Sequence, residues 1–151
     1  MFKYGLIGIL SLFWTGTTIS LKNQSFELSK DSASFQIMGT SNLHDWKMNL
    51  GIFDCTANFI LNGSQLKGID EVTFNCKSTD LKSDNSLMDK KAYSALKSKT
   101  FPDINFNMTS TIEISSNNNQ FTENLKGDLL LAGKSVAVSI PVTGKLYDIN
   151  G

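Results

Sequence analysis

LKSDNSLMDKKAYSALKSKTFPDINF, residues 81–106, is the one stretch of this chain that does not read as strand and turn. Met88, Ala92, Ala95, Leu96 and Lys99 fall at helical spacing, whereas apolar and polar residues elsewhere alternate with a period of two. Ser86 is the expected N-cap, with Asp89 three residues on in the manner of a capping box with a shorter acid. Met88, Ala92 and Leu96 form a narrow apolar stripe, and a helix this short must lean on a sheet to persist. Pro102 ends it and holds Phe101 extended. The expected class is therefore all-β with one short helix.

Strand signals flank this stretch on both sides. Phe26 and Leu28, then Phe35 and Ile37, mark two short strands joined by a turn at Lys30-Asp31-Ser32, and Gly39 to Asn42 breaks the alternation. Trp46, Met48, Leu50 and Ile52 lie on one side of the next ribbon, and Phe53, Cys55, Ala57, Phe59 and Leu61 on the other. A change of side near Gly51 is what a β-bulge produces in a long bent strand. Asn62-Gly63 signals a hairpin whose return strand carries Val72, Phe74 and Cys76. A symmetric fold of that hairpin about Gln65-Leu66 sets Cys55 opposite Cys76, within reach of a disulfide. Ile104, Phe106 and Met108 alternate next, Ile112 and Ile114 continue, and Ser115 to Asn119 is a turn. Leu125, Gly127, Leu129 and Leu131 then pair through Ala132-Gly133-Lys134-Ser135 with Val136, Val138, Ile140 and Val142, and Pro141 predicts an edge or bulge there. The chain stops after this outgoing strand, which predicts a fragment whose sheet is completed by further sequence.

The 151 residues suit one domain. Lys3, the uncharged run from Gly5 to Trp14 and the small residues Thr17, Thr18 and Ser20 read as a signal peptide over residues 1–20, leaving 21–151 as the mature domain. The apolar run is shorter than the roughly 20 residues of a membrane span, so the mature chain is expected to carry none. Export to the periplasm or beyond exposes Cys55 and Cys76 to oxidising conditions, where they either bridge two strands or stay as buried thiols. Fourteen basic residues balance fourteen acidic ones, so bulk charge predicts no nucleic-acid partner.

Catalysis has little to stand on. His44 is the only histidine, and beside Asp45 it invites an acid-base reading, but neighbours in an extended strand point to opposite faces and no nucleophile motif accompanies them. A hydrogen bond from His44 to a loop carbonyl is the structural alternative to a His44-dependent hydrolase. One histidine among scattered carboxylates makes no metal set, and Cys55 and Cys76 lack the spacing of a zinc or redox motif. No catalytic residue, metal or cofactor is therefore expected. Lys90, Lys91, Lys97 and Lys99 either meet a pyrophosphate or anionic lipid head or form the solvated face of the helix.

Three segments taken together resemble one family. They are GTSNLHDW at 39–46, LKS at 81–83 with MDKKAYSALK at 88–97, and FPDINF at 101–106. In order and spacing they are similar to the YceI-like proteins, exported bacterial polyisoprenoid-binding proteins with a lipocalin-like barrel. The resemblance implies an antiparallel barrel of about eight strands with a helical insertion around an elongated apolar cavity. This sequence lacks the proline-containing turn and closing strand with which such proteins usually end, so the barrel is expected to be incomplete at its C-terminus. The implied function is non-enzymatic carriage or sequestration of an isoprenoid lipid or quinone; the alternative is a secreted structural or interaction β-domain with a filled core. Such a ligand offers only apolar surface, each Å² buried contributing about 25 cal/mol. Phe35, Ile37, Phe53, Phe59, Phe74, Phe106, Met108 and Leu129 lie on the strand faces expected to point inward and to line the ligand site. Trp46 either packs at a barrel end or stacks on a ligand head group. Oligomeric state has no signature in the sequence.

Overall fold

The computed structural model describes residues 21–27, 33–40, 42, 45–115, 120–145 and 147. In chain order these form β1 (Leu21–Glu27), β2 (Phe35–Gly39), β3 (Trp46–Leu50), β4 (Phe53–Asn62), β5 (Gln65–Lys77), a single 3-10 turn at Ser78–Asp80, β6 (Leu81–Lys82), α1 (Ser86–Ala95), β7 (Asp103–Met108), β8 (Ile112–Glu113), β9 (Gln120–Leu131) and β10 (Lys134–Lys145). The described residues are thus mostly antiparallel β with one α-helix, as the periodicity predicts. The expected signal peptide, His44, and the turns at Lys30-Asp31-Ser32 and 116–119 lie outside the described residues.

The strands form two sheets. The larger has the order β1-β4-β5-β7-β9-β10, with β8 pairing the far half of β5, and the smaller has the order β2-β3-β6. Among the described residues the sheets do not close into a barrel, because no pairing joins the β1 and β10 edges. The first two strands, expected to be joined by a turn, lie in different sheets: β1 runs against β4, and β2 against β3. The ribbon through Gly51 is not one bulged strand, because the chain leaves the small sheet after Leu50 and enters the large one at Phe53, exposing Ile52 at 67%. The Gly51 amide donates to the Asp80 carbonyl at 3.3 Å, which ties this corner to the 3-10 turn.

Asn62 pairs with Gln65 across a two-residue turn, and Gly63 takes φ +60, the left-handed conformation its first central position requires. Register shifts between Asn58 and Phe59 and between Ile60 and Leu61 then set Cys55 opposite Phe74 and Cys76 opposite Phe53. The direct Cys55–Cys76 register is corrected accordingly: the two lie on a diagonal, and both are free thiols. The β9–β10 turn uses Ala132 at φ 51 and Gly133 at φ 76, positive at both central positions, and the Phe101 ring packs on Gly133 where a Cβ would stand. Pro141 does fall on an edge strand.

The helix starts one residue earlier than its sequence suggests. Asn85 is the N-cap, its side-chain oxygen accepting from the amides of Leu87 at 2.9 Å and Met88 at 3.3 Å. Asp89 reaches back instead to the amide and hydroxyl of Ser83, at 2.8 and 2.6 Å, and these hydrogen bonds hold its carboxyl below the ordinary range. At the other end Ser98 donates to Tyr93 and Lys97 to Ser94, at 2.9 and 3.1 Å, which is a Schellman motif with Lys97 at φ 54 in the glycine position. The Ser78 and Ser98 hydroxyls, both buried, bond at 2.8 Å, and Ser78 also donates to the Pro102 carbonyl at 3.0 Å. Met88, Ala92 and Leu96 pack on a buried cluster of Met48, Leu50, Cys76, Leu81 and Ile104, as the stripe predicts. A second cluster of Leu61, Leu66, Ile69, Phe106, Ile114 and Leu125 fills the far end of the large sheet. The outer face is polar: Thr56 bonds Thr73 at 2.7 Å, Asn58 bonds Glu71 at 2.9 Å, and Asn75–Asn105 and Lys77–Asp103 pair across β5 and β7.

Candidate functional site

Alternation on β4, β5, β7, β9 and β10 sends one set of side chains toward the small sheet, and the two sheets do not meet over their whole length. Between them lies a cleft of about 810 Å³, within the range of small-molecule sites. Its wall from the large sheet includes Phe53, Val72, Phe74, Phe106, Leu129 and Ile140; the small sheet and β6 contribute Phe35, Ile37, Leu50 and Leu81. Apart from Ser34 and the two thiols, every lining side chain is hydrocarbon. Among the described residues nothing on the wall is charged, so this part of the cleft can hold apolar surface and offers almost nothing to a polar group.

Three rings join the sheets. Phe35 stacks on Phe74 with centroids 5.1 Å apart and an interplanar angle of 27°, and tilts against Phe53 at 5.9 Å; Phe53 and Phe74 are 5.7 Å apart. Such contacts contribute roughly 0.5–1.5 kcal/mol each beyond area burial. Phe35 and Ile37 remain 37% and 36% exposed, so the cleft opens to solvent along β2.

Cys55 and Cys76 both line this wall. Burial raises the Cys55 thiol above its ordinary pKa, and burial, with smaller contributions from Asp80 and Asp103, pushes Cys76 up to about 11. Both thiols are therefore protonated near neutrality, poor as nucleophiles and as metal ligands. Among the described residues no group of His, Cys, Asp or Glu is placed to hold a metal ion, and no helix is long and apolar enough to cross a membrane.

Of the nine side chains expected at a ligand site, the cleft gathers Phe35, Ile37, Phe53, Phe74, Phe106 and Leu129. The other three lie elsewhere. Phe59 and Met108 pack against the far cluster, Phe59 edge-on to Phe26 at 5.2 Å and 6.4 Å from Phe121. Trp46 is half-buried at the edge of the helix-side cluster, its ring covering Gly39 across the β2–β3 pair where no Cβ would fit. It borders a separate surface hollow with Met38, Thr40 and Lys47. Val72, Ile104 and Leu131 line the cleft without having been singled out, although each stands two residues from a chosen neighbour and so shares its face.

A profile of the YceI-like domain matches residues 26–149. No curated protein matches the sequence.

Proposed function

The chain belongs to the YceI-like family, and on that premise we propose that its cleft binds an isoprenoid or similarly amphiphilic lipid, such as a quinone, and carries or sequesters it without covalent chemistry. The observation that supports this reading most is the wall itself: about 810 Å³ of space lined by hydrocarbon, with no charged side chain and no activated nucleophile among the described residues. Apolar area removed from water on binding contributes about 25 cal/mol per Å², so a long branched hydrocarbon gains affinity along its whole length. The diagonal thiols fit the same use, since protonated sulfur is a soft apolar surface. The proposal includes a barrel-like enclosure of the ligand, an N-terminal export signal over residues 1–20, a domain over 21–151 and a periplasmic or secreted location.

Native mass spectrometry of the protein purified from its own envelope tests the reading. A co-purifying apolar ligand, released by organic extraction, is the expected result. Protein that stays empty, and gains no ligand when titrated with polyprenyl lipids, would overturn it in favour of a β-domain that acts through its surface.

A further inference from the structure

The surface above the helix has a chemistry that the cleft does not use. Residues 82–99 hold five lysines, at 82, 90, 91, 97 and 99, against two aspartates, at 84 and 89, in a chain whose total charge is zero. The outward face of α1 carries Leu87, Lys90, Lys91 and Ser94, spaced three and four apart and opposite the packed stripe of Met88, Ala92 and Leu96. Leu87 is 60% exposed, and both lysines beside it are exposed. The surface continues past the helix. Lys97 and Lys99 are exposed, and Phe101, 39% exposed, packs against the Gly133 turn, whose next residue is the exposed Lys134. Leu87 thus sits among basic side chains on the helix, and Phe101 among Lys97, Lys99 and Lys134 in the segment that follows it, in a neutral molecule. The helix itself rests on the cluster containing Leu81 and Ile104, which also line the cleft.

From this arrangement we infer that the helix end is a docking face for an anionic lipid bilayer. Lysines at a bilayer surface are attracted by anionic headgroups, and their stems lie along the interface while Leu87 and Phe101 enter its apolar boundary. Because the rest of the chain carries the balancing negative charge, an anionic plane attracts this end and repels the others. Docking sets the cleft with its Leu81 and Ile104 end toward the membrane. Attachment is reversible, since two partly exposed side chains and a few lysines do not amount to an anchor.

Co-sedimentation with vesicles tests it, using the processed protein, residues 21–151, stripped of bound lipid so that ligand carried in the cleft does not affect the outcome. Wild-type protein sediments with vesicles of equimolar phosphatidylcholine and phosphatidylglycerol, much less with phosphatidylcholine alone, and less as salt rises. Lys90→Glu with Lys91→Glu, both on an exposed face and leaving the melting temperature unchanged, weakens binding at least about tenfold. Leu87→Ser weakens it about fivefold. The charge-matched pair Lys126→Glu with Lys145→Glu, on β9 and β10, leaves it within about twofold. Absence of wild-type binding, equal binding to both vesicle types, or equal loss in the two charge-reversed pairs would overturn the inference. Release by excess soluble glycerol phosphate would also overturn it, in favour of a headgroup pocket.

Discussion

Lys97 occupies a backbone position that suits glycine, and it does so at the joint between the helix and the strand that follows. A side chain at φ 54 crowds its own carbonyl, so Lys97→Gly is expected to stabilise the protein by about 0.5–1 kcal/mol, read as a higher denaturation midpoint. Cys76 makes a prediction of the opposite direction on the pH axis. Its folded pKa, about 11, lies above the ordinary 9.0, so between these values the unfolded chain binds fewer protons than the folded one. Stability is then complete below pH 9 and falls as pH rises through 11. Chemical denaturation across that window should show the fall in the wild type and a shallower one in Cys76→Ala; equal slopes would exclude the thiol as its source. A side chain's role was legible only where residue type alone decides it, and the cysteines stayed open between a bridge and buried thiols because register chooses between those. The role was not legible for Asn85 either, because Ser86 and Asn85 cap equally well by type and only the path of the chain chooses between them.

The helix and the hairpins are elements whose existence the sequence announces but whose partners it does not. Met88, Ala92 and Leu96 were readable as a buried stripe, and they do pack on the cluster around Leu50 and Leu81. Leu96→Asp sets a carboxylate against that cluster and is expected to cost about 2–4 kcal/mol, seen as a lower melting temperature and faster exchange of the helix amides. Melting like the wild type would mean that the helix is not a wall of the fold. Turn chemistry located both tight hairpins, at Gly63 and Gly133, because positive φ has few sequence solutions. Register was another matter. The hairpin turns at Gly63-Ser64 and not about Gln65-Leu66, which by itself would set Cys55 opposite Val72; two shifts inside β4–β5 then carry it to Phe74, and an inserted residue leaves the period of two intact on either side of it. The division at Gly51 was hidden for the same reason, since a bulge and a crossing between sheets both read as a change of side.

At the scale of the molecule, the inner face divides into a filled end and an open one. Alternation identified the face and thereby six of the nine proposed lining residues, but Phe59 and Met108 share that periodicity and still belong to the filled end. Which part of a face is filled depends on how far the second sheet reaches across it, and that is a property of the whole fold. The open part can be tested by filling it. Val72→Phe adds atoms to the cleft wall, so the empty variant should melt within a few degrees of the wild type while losing about tenfold in polyprenyl-lipid affinity. Ligand at about 100 times its dissociation constant should stabilise the wild type by about 2.7 kcal/mol, and the variant by much less. The Trp46 ring over Gly39 gives such experiments an optical handle. The chain has two tryptophans, and the other, Trp14, belongs to the expected leader, so emission from the processed protein would come from one indole. That indole stands outside the cleft wall, on the hairpin that carries Phe35 and Ile37. Its fluorescence would stay constant if a ligand slid into a rigid cleft, and would shift if the hairpin swung to admit it, so one spectrum distinguishes a fixed groove from a hinged flap.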